Sequence, residues 1–315
     1  MRTLLPSMLV AALGVAAPFA DATTFKWASA ADIPTWDIHS QNNALGNGVH
    51  ASVYESLFTY NKKFELEPVL ATGYKQVSPT QVRITLRQGV KFHDGSAFNA
   101  DDAKFSLERA MAKTSNYGVY TQGIDRIVKV EDYTIDIFTK GPNPVLLRQM
   151  TELRVMDQGW AEKNKSLEPK DIKTKDENFA HRNANGTGPF MLKSWEQDVK
   201  LVLVKNPAWW AKPEGNVSEI VYTPIKAEAT RVAALLSGEV DMVLDPSPAD
   251  LVKLRSAGNL KVIDGAEAQI IAARAQGAGL FAQRTKAHNL APATARQHTL
   301  QRFVARVDDQ APFAR

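Results

Sequence analysis

The residues best equipped for chemistry sit close together. His93-Asp94-Gly95-Ser96 brings an imidazole, a carboxylate and a hydroxyl onto one short stretch, and Asp101-Asp102 follows with two more carboxylates. Such groups can hold a metal ion or pass protons. Their spacing points elsewhere. Neighbours on a turn diverge from a common ion, and Asp-Gly-Ser is turn chemistry, because Asp bonds to local backbone and Gly accepts positive φ. Asp101 and Asp102 come directly after Asn99, a good helix N-cap, where carboxylates favour the positive end of the helix dipole. Gly46-Asn47-Gly48-Val49-His50-Ala51 fits the degenerate dinucleotide pattern, but Ser40 to Asn43 stand where a hydrophobic strand is needed. A helix running from these glycines to about Leu57 is expected instead, with Val49, Val53, Tyr54 and Leu57 inward. Gly186-Thr187-Gly188-Pro189 lacks the Gly-Lys-Ser/Thr of a phosphate loop, and Pro189 removes an amide donor, so it reads as a tight strand start. Trp209-Trp210 could stack on a sugar or base, although an aromatic pair after a strand more commonly packs in a core. No metallopeptidase, nucleophile-elbow or Walker motif occurs. No catalytic residue, metal ligand or cofactor is expected.

The elements around these residues follow from periodicity. Val82, Ile84 and Leu86 alternate with Gln81, Arg83, Thr85 and Arg87, as in a strand with one buried face. Beyond Asn99, the positions of Phe105, Leu107, Ala110 and Met111 describe a helix with an inward stripe. Two or three strands are expected over Leu66 to Gln88, a hairpin over Ile124 to Val130 and Tyr133 to Phe138, and a short helix from Val145. Residues 160 to 185 read as a surface excursion. Strands follow at Phe190 to Trp195, Lys200 to Lys205, Glu219 to Pro224, Asp241 to Leu244 and Leu260 to Ile263, with helices at Glu228 to Leu236 and Pro248 to Ser256. This alternation implies an α/β architecture.

The 315 residues carry a formal charge of +4, which could suggest a nucleic acid or an anionic membrane as partner. Its distribution argues against that. Residues 266–315 hold 7 Lys and Arg against 3 Asp and Glu, while residues 1–265 hold 31 against 31. Cysteine is absent, which excludes disulfides and thiol chemistry. Arg2, the apolar run from Leu4 to Ala17 and Ala20-Asp21-Ala22 form a Sec-type signal peptide over residues 1–22, with the mature chain expected to begin at Thr23 in the periplasm. No cysteine follows to carry a lipid.

The segment Leu86 to Ala110, LRQGVKFHDGSAFNADDAKFSLERA, resembles the hallmark stretch of the family 5 extracellular solute-binding proteins, the dipeptide, oligopeptide and nickel receptors of ABC importers. Five further blocks resemble the family in the same order: Tyr54 to Tyr60, Phe64 to Ala71, Gly186 to Phe190, Asn206 to Trp210 and Arg231 to Asp241. The resemblance implies a periplasmic-binding-protein-like α/β fold with an inserted α/β subdomain, here the first lobe only. Residues 23–55 and 180–265 would form that lobe, and residues 56–179 the insertion, with the hallmark stretch holding the insertion together. It further implies a non-enzymatic receptor that delivers a di- or oligopeptide, or a related solute, to ABC permease membrane subunits, as a monomer and without nucleic acid. In the family the segment after the first strand reaches the ligand, so the matching residues here are Ser29, Ala30, Ala31, Asp32, Ile33 and Trp36. Asp32 could attract a ligand ammonium and Trp36 wall an apolar pocket; a solvated acid and a packed aromatic are the alternatives. An exported hydrolase and a non-functional receptor fragment are the rival readings.

At Gly265 the composition changes. Residues 266–315 contain 14 Ala, 6 Arg, 6 Gln and a single Lys, with neither Tyr nor Trp, and the resemblance stops there. This stretch is expected to be an aberrant tail, read out of frame and outside the lobe; a basic interaction arm is the alternative.

Overall fold

β1 (Thr23–Ser29), the first described strand, has parallel neighbours on both sides. It belongs to a computed structural model that describes residues 23–61, 63–174, 176–212, 215–266 and 300–306. The expected signal peptide over residues 1–22 lies outside the described residues, as does the tail apart from 300–306.

After β1 come α1 (Ala44–His50), β2 (Phe58–Tyr60), β3 (Leu66–Pro68), β4 (Ala71–Ser78), β5 (Gln81–Leu86), α2 (Ala100–Met111), α3 (Gly118–Thr121), β6 (Ile124–Glu131), β7 (Thr134–Thr139), α4 (Leu146–Gln149) and α5 (Gln158–Lys163). The second half holds β8 (Phe190–Glu196), β9 (Lys200–Lys205), β10 (Val217–Pro224), α6 (Glu228–Ser237), β11 (Met242–Leu244), α7 (Pro248–Ser256), β12 (Leu260–Ala266) and β13 (Leu300–Arg306).

Two main sheets result. The larger has seven strands in the order β12-β13-β11-β1-β10-β9-β8, and a four-stranded antiparallel sheet is ordered β4-β5-β7-β6. A two-stranded ladder of β2 and β3 lies apart from both. Each main sheet has its own core. Val82, Ile84 and Leu86 of β5 turn inward with Ile135 and Ile137 onto Ala103, Leu107 and Ala110 of α2. Trp27, Trp36, Tyr54, Leu203, Ile220 and Tyr222 form the core of the larger sheet. A third cluster, around Val232, Leu235, Val243 and Leu254, packs α6 and α7 on its other face.

Local chemistry starts α2 as the sequence implies. Asn99 Oδ1 accepts from Asp101 N at 2.7 Å, and Asp102 Oδ2 accepts from Asn99 N at 2.9 Å. This reciprocal capping box satisfies amides that the first helical turn leaves open. The buried face differs from the expected stripe: Ala103, Ser106, Leu107, Arg109 and Ala110 are buried, whereas Phe105 and Met111 are half-buried.

Three expectations are corrected. The helix from the Gly46 region ends at His50, not near Leu57, because Ser52 N and Val53 N bond only three residues back, to Val49 O and His50 O, and the chain leaves through turns. Val49, Val53, Tyr54 and Leu57 are nevertheless all buried. Residues 160–185 are not a plain surface excursion, since Ala161, Ser166, Ala180 and Asn185 within them are buried. The tail is not wholly outside the lobe: residues 300–306 lie in the larger sheet between β11 and β12, antiparallel to both.

Candidate ligand-facing edge

In open α/β sheets, ligands settle outside the carboxyl ends of the strands, where the chain departs in opposite directions from neighbouring strands. β1 has that position. Ser29 ends it, between Pro224 at the end of parallel β10 and the β11 strand paired at Trp27↔Met242 and Ala28↔Val243.

The six candidate residues follow from the end of β1, in different environments. Ala30 and Ala31 are exposed, Asp32 is half-buried, and Ser29, Ile33 and Trp36 are buried. Tyr222, on the neighbouring strand, donates its hydroxyl proton to Ala31 O. Ser29 Oγ lies 2.8 Å from that phenol oxygen and 3.2 Å from Ala31 O. Burial pushes the Tyr222 phenol above its ordinary range, with Ser29 pulling weakly the other way. A phenol held protonated is no base for the serine, so this pair fixes the loop without activating a nucleophile.

Asp32 is fully engaged. Its Oδ2 accepts from Trp195 Nε1 at 2.9 Å and from Asp198 N at 2.7 Å, while Oδ1 accepts from Ile33 N at 2.7 Å. It therefore ties the loop after β1 to the hairpin between β8 and β9. Arg231 braces the other side, its Nη1 donating to Ile225 O at 2.7 Å and Lys226 O at 3.0 Å. Trp36 is entirely buried, its ring 5.3 Å from that of His50. In the described lobe it packs under the loop.

Behind the loop, Asp37 makes a buried, two-pronged ion pair with Arg109 of α2, at 2.7 Å to Nη1 and 2.6 Å to Nη2. Burial alone would raise the Asp37 carboxyl, but the charge and hydrogen bonds of Arg109, with Asn178, outweigh it and bring the pKa to about 2. Arg109 also donates to His39 Nδ1 at 3.2 Å, so that nitrogen is the acceptor of a neutral ring; burial and then Arg109 hold His39 down to about 3. His50 is likewise neutral, its Nε2 donating to Thr35 O at 2.9 Å, with its pKa lowered by burial and then Arg154 to about 3. Periodicity carries no signal for Tyr222, Trp195 or Arg109, because each reaches the loop from far along the chain.

The chemistry-bearing stretch from His93 to Ser96 lies elsewhere and is a clasp. His93 exchanges hydrogen bonds with Gly186 and donates to Gly188 O, and Asp94 N donates to Asn185 Oδ1 at 3.1 Å. The stretch thus joins the four-stranded unit to the start of β8, beyond the expected role within its own unit. Among the described residues, no group of three or more His, Asp or Glu is arranged to hold a metal ion, and no helix is long and apolar enough to cross a membrane.

Comparison with known proteins agrees with this architecture. The model of the bacterial extracellular solute-binding proteins, family 5 (middle), matches residues 65–286, so it continues past the compositional change at Gly265. The glutathione-binding protein GsiB of Salmonella typhi is 28% identical over 265 residues, covering 81% of this chain and 49% of its own length. GsiB of Escherichia coli O157:H7 is 27% identical over 210 residues, covering 65% of this chain and 39% of its own. The chain therefore spans about half the length of the curated relatives it matches, or less. Among solved structures, the periplasmic binding protein DppA of Helicobacter pylori, in complex with the peptide STSA, superposes with a TM-score of 0.68 at 25% identity, over 78% of this chain and 51% of its own. AgaA from A. tumefacien R10, in complex with agropinic acid, shares the fold at a TM-score of 0.70 and 22% identity, over 78% of this chain and 48% of its own. The fold is thus that of a periplasmic-binding-protein lobe, and the chain belongs to family 5 of the bacterial extracellular solute-binding proteins.

Proposed function

We propose that the chain is the first-lobe part of a periplasmic receptor that captures a short peptide and hands it to the membrane subunits of an ABC importer. The family match over residues 65–286 carries this reading. The peptide class is supported by two relatives: the GsiB proteins are named for glutathione, itself a tripeptide, and the H. pylori structure holds STSA. A binding role also agrees with the edge at Ser29, where hydroxyls and carboxylates are occupied in holding the loop's shape. Ala30 and Ala31, the exposed pair, would meet the ligand, with Ser29, Asp32, Ile33 and Trp36 setting the loop's path. The division into a lobe of residues 23–55 and 180–265 with residues 56–179 inserted is supported by the two cores. One draws its buried residues from Leu57 to Val155; the other draws all of its own from before or after that span, with Met156 and Ala161 coming from the end of the insertion.

The test is calorimetric titration of the full chain with glutathione, Ser-Thr-Ser-Ala and mixed dipeptides. Saturable binding of at least one, weakened by Asp32→Ala, is expected. Consumption of any of them by the purified protein, detected by mass spectrometry, would replace the receptor reading with an exported hydrolase. A cooperatively unfolding chain that binds none would favour a receptor fragment without function.

A further inference from the structure

Met242, Val243 and Leu244 of β11 are buried on both faces. Met242 and Leu244 enter the core that contains Trp27 and Tyr222, while Val243 enters the cluster of Ala28, Leu235 and Leu254. β1 pairs with one edge of this strand. The other edge also lies in the interior of the sheet, and buried amides and carbonyls require partners.

Residues 300–306 supply them. Met242, Val243 and Leu244 face Ala305, Val304 and Phe303, and an unbroken ladder joins the same segment to β12 from Leu260↔Arg306 to Ala266↔Leu300. Since β13 stands between β11 and β12 in the strand order, those two strands meet only through it. The segment comes from beyond residues 267–299, a connection of 33 residues. An interval of that length excludes a tight turn, so the ladders determine where the strand sits.

We propose that the interval between β11 and β12 is a strand-acceptor site. Its occupant is this chain's own segment Leu300–Arg306, held by main-chain pairing as in β-strand addition, and exchangeable for the same sequence offered in trans. This inference is independent of the proposed solute.

Amide hydrogen exchange read by mass spectrometry tests it on the full chain. Slow exchange is expected at 242–244, 260–266 and 300–306 together. Val304 pairs with both Val243 and Val262, so Val304→Pro, which deletes a donor and restricts the backbone, should abolish protection at 242–244. Thr294→Pro, within the connection, should leave it unchanged. A synthetic peptide of residues 298–308 added to the Val304→Pro protein should restore protection at 242–244. Retained protection in that variant, or no rescue by the peptide, overturns the site. If the variant does not fold, the unmodified protein decides: fast exchange at 300–306 beside protected 242–244 overturns the assignment. Protection at 300–306 that appears only with dimer formation on size exclusion overturns the occupant in cis.

Discussion

His93 and Gly186 exchange two hydrogen bonds: His93 N donates to Gly186 O at 2.9 Å, and Gly186 N donates to His93 Nδ1 at 3.3 Å. The other ring nitrogen, Nε2, lies 3.0 Å from Gly188 O and must donate to it. One neutral tautomer is therefore specified, and its proton arrangement joins the turn before α2 to the start of β8.

Protonation of His93 should weaken that junction. Burial, the largest influence, lowers its pKa, partly offset by Gly188 and Asp94. In the pH range between the folded value and the ordinary value near ~6.5, the unfolded chain binds the proton and the folded chain does not. Stability is accordingly complete above that ordinary value and is lost as pH falls. His39, His50 and His181 are lowered too and contribute with the same sign. Urea melts at pH 5 and pH 7 should show the difference, and His93→Ala should shrink without abolishing it, at a cost of about 1–3 kcal/mol at pH 7. An unchanged difference in the variant would place the effect wholly on the other histidines.

Breaking the Asp37–Arg109 pair should be severe. Both side chains are buried, at 1% and 0% exposure, and removing one partner strands the other's charge. Asp37→Ala is expected to cost about 3–5 kcal/mol by chemical denaturation. Because the folded carboxyl titrates at about 2, the pair's contribution is present above ~4 and fades as pH falls towards that value. A loss below about 1 kcal/mol would mean that water reaches the arginine.

Glu55 should give a slope of the opposite sign. Its carboxylate accepts from Trp209 Nε1 at 3.2 Å and Trp210 Nε1 at 2.8 Å, with Arg87 packed 4.2 Å over the Trp210 ring. Burial raises its pKa to about 7 despite those donors. From about 4.5 to 7 the folded protein keeps a proton that the unfolded chain releases, so this group's contribution falls as pH rises. Proton release on unfolding at pH 6, measured by calorimetry in buffers of different ionisation enthalpy, should decrease in Glu55→Gln. Equal proton counts in both proteins would refute the assignment.

Gly188 and Gly186 should resist any side chain. A Cβ on Gly186 would come to 2.0 Å from Val53 O, and one on Gly188 to 2.7 Å from the same oxygen. Gly188 N also donates to Val53 O at 2.9 Å, so the backbones have little room to part. Gly188→Ala should lower stability by about 1–3 kcal/mol, while Gly118→Ala, with nothing within 4 Å, should be nearly neutral. Thermal melts of the two variants check this.

Local chemistry was legible without coordinates. The alternation of Val82, Ile84 and Leu86, the Asn99 cap with its first-turn acids, and the helices beginning near Glu228 and Pro248 each depend on residues a few positions apart. The family could be recognised for the same reason, since its blocks are local runs. The loop from Ser29 was located, but its partners were not: Tyr222 lies 191 positions from Ala31, Asp198 166 positions from Asp32, and Arg109 72 positions from Asp37. Hydrophobic periodicity indicates that a side chain is buried and cannot say against what. Tertiary structure alone gave the His93 turn its partners Gly186 and Gly188, occupied Asp32 with an indole and an amide, and placed residues 300–306 inside the sheet. Each of those outcomes was decided by which distant donor or acceptor the fold brought within hydrogen-bond reach, and such distances belong to the packed chain rather than to any stretch of it.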